Sequence, residues 1–127
     1  MASDLQMNDN TLLELAAKAA GINVVGDIEK YLVFPERRAG GFIIESTTGG
    51  HTGWNPLTDD GDALRLAVML ELSQLFDSMP DGLIVEIGIP WHDTLFNTIF
   101  TEPIGKDKYS ATRRAIVRCA AEIGKSA

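Results

Sequence analysis

Leu83–Ile89 reads Leu-Ile-Val-Glu-Ile-Gly-Ile, and Thr94–Phe100 reads Thr-Leu-Phe-Asn-Thr-Ile-Phe. Neither alternates cleanly between apolar and polar residues. Successive side chains of a strand point to opposite faces, so apolar neighbours load both sides of a sheet. A sheet built from these strands has to be covered on two sides. Pro90-Trp91-His92-Asp93 lies between the two stretches and reads as a hairpin connector.

The rest of the chain supplies the covers. Thr11 followed by Glu14 reads as a capping box for a first helix. Leu12, Leu15, Ala16 and Ala19 have one-face spacing, and Gly21 stands where a left-handed cap is wanted. Two strands are expected next, Tyr31–Phe34 and Phe42–Ser46, with Gly40-Gly41 turning the chain and Pro35 ending the first of them. Residues 47–61 read as a long ordered loop around Trp54. A second helix is expected from Thr58–Asp60 to just before Pro80-Asp81-Gly82, with Ala63, Leu64, Ala67, Val68, Leu70 and Leu75 on its apolar face. A third starts near Ser110, buries Ala111, Ala115, Ile116, Cys119, Ala120 and Ile123, and ends at Gly124.

The order is α-β-β-α-β-β-α. Hairpins imply antiparallel pairing. The expected fold class is therefore α+β: an antiparallel sheet of about four strands with helices on both faces, an α/β/α sandwich. One domain spanning 1–127 accommodates this, because a chain of 127 residues is long enough to bury a core unaided. Strands this apolar also point to a possible homo-oligomer.

Charge and cysteine usage narrow the function classes. The net charge of −7 argues against general nucleic-acid coating. Residues 106–127 hold six basic side chains against Asp107 and Glu122, a local +4, which leaves −11 on the remaining 105 residues. The C-terminal end is a basic patch on an acidic body, suited to a small anion or an acidic partner surface. No apolar run reaches the ~18 residues that span a bilayer. A signal peptide is not expected from Met-Ala-Ser-Asp-Leu-Gln, and the lone Cys119 suits a reducing cytoplasm.

The chemistry-bearing motifs are sparse. Gly49-Gly50-His51-Thr52-Gly53 lacks the Gly-Lys-Ser/Thr continuation of a phosphate loop. Asp59, Asp60 and Asp62 lack the spaced oxygen ligands of a calcium loop and are read as helix-capping acids. His51 and His92 are too few for a zinc site, and Cys119 sits on an apolar helix face. The expectation is no catalytic residues, no metal, no cofactor and no enzyme. Binding is the remaining class. Trp54 either plugs the core or offers a stacking plate, the core anchor being the better single reading, and Asn55 before Pro56 turns the chain there. Trp91 and His92 at a hairpin tip are contact residues if exposed. Arg113, Arg114 and Arg118 match phosphate oxygens and stack on bases. Together these residues are the candidate ligand-binding set for a planar anion.

The stretches Trp54-Asn55-Pro56-Leu57-Thr58-Asp59-Asp60-Gly61-Asp62-Ala63-Leu64-Arg65-Leu66-Ala67, Ala111-Thr112-Arg113-Arg114-Ala115-Ile116-Val117-Arg118 and Leu12–Gly21 resemble the phage ABA-sandwich domain family of small phage and prophage proteins. They are more distantly similar to the NinX-like phage proteins. The resemblance implies helices on both faces of a sheet, and a phage accessory protein in the bacterial host cytoplasm. It further implies a counter-defence role: sequestering a nucleotide-derived host immune signal or, alternatively, contacting a host nuclease or defence protein as an anti-CRISPR-like inhibitor, adaptor or DNA mimic. No membrane partner is expected.

Overall fold

The computed structural model describes residues 8–27, 41–46, 48–90 and 99–126. The elements run α1 (Asp9–Ala20), β1 (Val24–Asp27), β2 (Phe42–Glu45), β3 (His51–Trp54), α2 (Asp60–Met69), β4 (Ser73–Met79), β5 (Gly82–Gly88), β6 (Ile99–Pro103) and α3 (Lys108–Ser126). The class is mixed α+β. Among the described residues the strands form two antiparallel three-stranded sheets, β1-β2-β3 and β4-β5-β6, where a single sheet of about four was expected. The expected strand Tyr31–Phe34 and the connector Trp91-His92-Asp93 lie outside the described residues, as does the expected strand up to residue 98.

Helix α1 is capped one turn earlier than the Thr11–Glu14 pair predicts. Asn8 Oδ1 accepts from the Thr11 amide at 2.8 Å, which places Thr11 inside the first turn. The C-terminal end follows the sequence. Gly21 has φ +70°, its amide donates to Lys18 O and the Ile22 amide donates to Ala17 O. That pair of bonds is the Schellman motif, which ties off carbonyls the helix leaves free.

Helix α2 starts as expected, with Asp59 accepting from the Asp62 amide at 2.9 Å. It stops at Met69, ten residues earlier than the sequence reading. Glu71 takes φ +54°, its amide donates to Val68 O and the Leu72 amide donates to Ala67 O. The same Schellman closure therefore forms without a glycine. The following seven residues pair with β5 as a hairpin closed by Pro80-Asp81. Leu75 accordingly belongs to a strand and is exposed; it is not on a helix face. Pairing to an apolar neighbour strand outweighs the local helix pattern here.

The long loop around Trp54 is also partly strand. β3 pairs with β2 in the register Phe42↔Trp54, Ile43↔Gly53, Ile44↔Thr52, Glu45↔His51. β1, which carried no clear sequence signal, pairs with β2 through an irregularity between Val24 and Gly26.

Helix α3 is the centre of the molecule. Asp107 Oδ1 accepts from the Tyr109 and Ser110 amides and starts it. It packs on α1, α2, β5 and β6. Ala115, Val117, Cys119 and Ala120 are fully enclosed, and they join Leu13 and Ala16 of α1, Leu66 of α2 and Val85 and Ile87 of β5 in one contiguous core. The alanines let the helices approach closely. Gly124 does not end the helix as expected; it lies within it, against the backbone of Leu15. Among the described residues, no helix is long and apolar enough to cross a membrane.

Candidate functional site

The loop Trp54–Asp62 is a structural knot. Trp54 is only 4% exposed and lies in the core, so it presents no stacking plate. Asn55 is buried as well. Its amide donates to Asp62 Oδ2 at 2.9 Å, its Oδ1 accepts from the Leu57 amide at 3.0 Å, and its carbonyl accepts from the Asp59 amide at 2.9 Å. Asp62 uses its other oxygen on Arg65, at 2.8 Å. A buried carboxylate held by an amide and a guanidinium is satisfied on both sides. These groups set the entry of α2, and they commit the Asn55 backbone amide, carbonyl and Oδ1 to the loop itself.

The three arginines do not converge. Arg113 donates from Nε to Leu57 O at 2.8 Å and from Nη1 to Asp60 Oδ1 at 2.6 Å. Arg114 pairs with Asp9 at the start of α1, at 3.1 Å. Arg118 donates to Glu102 and to Thr101 O on β6, and its guanidinium lies 5.5 Å from the centre of the Phe100 ring. Each arginine thus fastens α3 to a different element, and a shared anion cup of Arg113, Arg114, Arg118 and Trp54 is not formed. The charges cluster along the sequence because α3 is tied on several sides. Trp91 and His92 lie outside the described residues.

The acids have structural partners too. Asp59 caps α2, Asp60 holds Arg113 and Asp62 holds Asn55. Among the described residues, no group of three or more His, Cys, Asp or Glu is placed to hold a metal ion. Burial, with a smaller contribution from the Glu122 carboxylate, pushes the Cys119 thiol up to about 12. A thiol so rarely ionised is a poor nucleophile. Native protein is expected to leave Cys119 unlabelled by a thiol-disulfide reagent at pH 8, with full labelling in urea. Rapid labelling of the native state would place Cys119 at a reachable surface.

What the sequence did not reveal is a groove of about 560 Å³ between α2, α3 and the β4–β5 hairpin. Phe76, Leu83, Ile104 and Ile116 line it, with Leu64 on one side and Tyr109 on the other. Leu64, Phe76, Leu83 and Tyr109 are all exposed. Scattered exposed apolar residues are ordinary, whereas several lining one concavity mark a contact site. Lys108 stands at the rim with its ammonium 5.9 Å from the Tyr109 ring centre. Among the described residues it makes no ion pair, unlike neighbouring Arg113. The groove therefore offers an apolar floor and one available positive charge. Its parts come from four segments, each unremarkable in the sequence. No protein-family model, curated protein or solved structure matches the chain.

Proposed function

We propose that the protein is a non-enzymatic accessory protein that acts by contact, docking through the α2–α3–hairpin groove onto a host protein. The single observation that carries this reading is the clustering of Leu64, Phe76, Leu83 and Tyr109 around one open groove. Aromatic and aliphatic anchors in a concave surface are what protein interfaces use for affinity. The partner segment it suits is apolar with an acidic group near Lys108. The phage affiliation, the counter-defence role, the bacterial host cytoplasm and the placement of helices on both faces of a sheet belong to the same proposal. They rest on the resemblance of the Trp54–Ala67 and Ala111–Arg118 segments.

Pull-down from nuclease-treated, dialysed host lysate tests it. A protein partner is expected to be retained, and Leu83→Asp or Tyr109→Ala is expected to weaken retention at least about tenfold, the loss typical of a truncated anchor. Equal retention by both variants would take the groove out of the account.

A second reading is favoured by Lys108 beside the exposed Tyr109 ring: a planar anionic ligand, such as a nucleotide-derived immune signal, held in the same groove. Aromatic stacking and one ammonium supply the minimum for such recognition. Calorimetry against cyclic di- and trinucleotides and cyclic ADP-ribose isomers separates the two. Heat abolished by Tyr109→Ala would support sequestration, and its absence with every compound leaves the contact reading.

A further inference from the structure

β4 is an edge strand exposed at every residue from Ser73 to Met79. Its inner neighbour is β5, and among the described residues no strand pairs with its outer side. The hairpin register shows which groups face outward. In antiparallel pairs, residues alternate between bonding the partner and pointing away from it. Ile104 N donates to Leu83 O, so the odd-numbered residues of β5 serve β6 and the even-numbered ones serve β4. The β4 residues bonded to β5 are therefore Ser73, Leu75, Asp77 and Met79. Gln74, Phe76 and Ser78 turn their amides and carbonyls to the outside.

β6 and β1, two of the other edges among the described residues, carry guards that β4 lacks, and the remaining edge, β3, is only four residues long. On β6 the same alternation turns Thr101 and Pro103 outward. Pro103 has no amide to offer, and Thr101 O is occupied by Arg118 at 3.2 Å. On β1 the irregularity between Val24 and Gly26 breaks the edge. Bulges, prolines and lysines are the usual means of keeping edges from pairing. β4 has no proline, no basic residue and no register break, and its only charge is Asp77. The single partial guard is Asp77 Oδ1, which accepts from the Ser78 amide at 2.8 Å.

We propose that β4 pairs with β4 of a second copy of this chain, antiparallel across a two-fold axis at Phe76, so that one sheet runs through both copies. The outward set is centred on Phe76, which makes it self-complementary. Phe76 exchanges both bonds with its counterpart, and Gln74 faces Ser78 on each side. The two-fold keeps the helix-bearing faces on the same side. It sets the two Phe76 rings opposite one another and covers a side chain that is 47% exposed in the single chain. Leu75 and Met79, exposed on the opposite face, are shielded along the same seam. A two-fold closes the edge, so that neither copy keeps an unpaired β4 to recruit a further strand. A seven-residue strand gives a seam of about 24 Å, and Phe76, Leu75 and Met79 of both copies cover apolar surface along it, toward the ~800 Å² per partner of a stable interface. Phe76 also lines the groove, so the second copy forms part of its wall. The pairing itself does not depend on what the groove binds.

Sedimentation at micromolar concentration, with amide exchange on the same sample, tests the inference. The expected mass is twice the 13.8 kDa of the chain. The Gln74 and Phe76 amides are expected to be protected, and to lose protection on dilution while Leu75 and Asp77 keep theirs. Gln74→Pro removes an outward amide and leaves the ladder to β5 intact, as proline is tolerated on an edge. Phe76→Lys puts two like charges on the axis. Each is expected to weaken the dimer at least about tenfold, at unchanged circular dichroism. A mass of 13.8 kDa throughout, open-ended association, or two folded variants that stay dimeric would each overturn the proposal. Should both variants unfold, the exchange pattern of the unaltered protein decides: unprotected Gln74 and Phe76 amides refute it, and dilution-sensitive protection upholds it.

Discussion

Gly124→Ala is expected to destabilise the protein by about 3 kcal/mol, at the upper end of what overpacking a core costs. A Cβ at this position would stand 2.8 Å from the carbonyl carbon of Leu15 and overlap its oxygen. The obstacle is backbone, so no rotamer change relieves it. α1 would have to move off α3, loosening Leu12, Leu13, Ala16 and Ala17 from the core. Helix propensity alone pulls the other way, favouring alanine by about 1 kcal/mol. The sign of the result therefore discriminates. Urea unfolding should show a lower midpoint with an unchanged slope. A midpoint equal to or above that of the parent chain would mean the two helices do not touch at Gly124.

Trp54→Ala is expected to cost about 4 kcal/mol, the range for deleting a buried indole. Trp54 faces Phe42 across the β2–β3 pair and precedes the Asn55–Asp62 bond that positions α2. Its removal should empty part of the core and slacken that bond as well. Were Trp54 a solvent-facing plate for a ligand, the same substitution would stay within about 0.5 kcal/mol. Denaturation followed by circular dichroism distinguishes the outcomes, and a near-zero change would return Trp54 to the list of binding residues.

These two residues illustrate how far the sequence can be read. The start of α2 and the Gly21 end of α1 were legible because capping is a local property of a few side chains. The end of α2 was not, because Glu71 adopts a left-handed conformation that sequence reading reserves for glycine or asparagine. That one residue converts the continuation of a helix into a hairpin strand, and with it moves Leu75 from a supposed core face to an open edge. By sequence alone Gly124 is a stop signal; its role inside α3 follows from what approaches it, a backbone more than a hundred residues away in sequence.

The candidate site was less legible still. The cationic residues of α3 are evident in the sequence, but their partners are not. Asp9 lies 105 residues from Arg114, and Asp60 lies 53 residues from Arg113. Charge counted along a sequence cannot distinguish a cation waiting for a ligand from one already spent on a carboxylate. The groove was invisible for the converse reason. Phe76 and Leu83 look like core residues in any pattern-based reading, and only the fold shows that they border open space.

The central position of α3 also bears on the order of events when the chain is made. The helix that α1, α2, β5 and β6 all pack on is synthesised after every one of them. Until it arrives, α1 is a twelve-residue segment too short to hold its own helical form in water. Its apolar side has to wait for a partner a hundred residues downstream. Closing so large a loop makes for slow folding. During that interval the apolar hairpin strands are unprotected, so this is a chain whose yield in the cell will depend on temperature and chaperone supply more than its small size would lead one to expect.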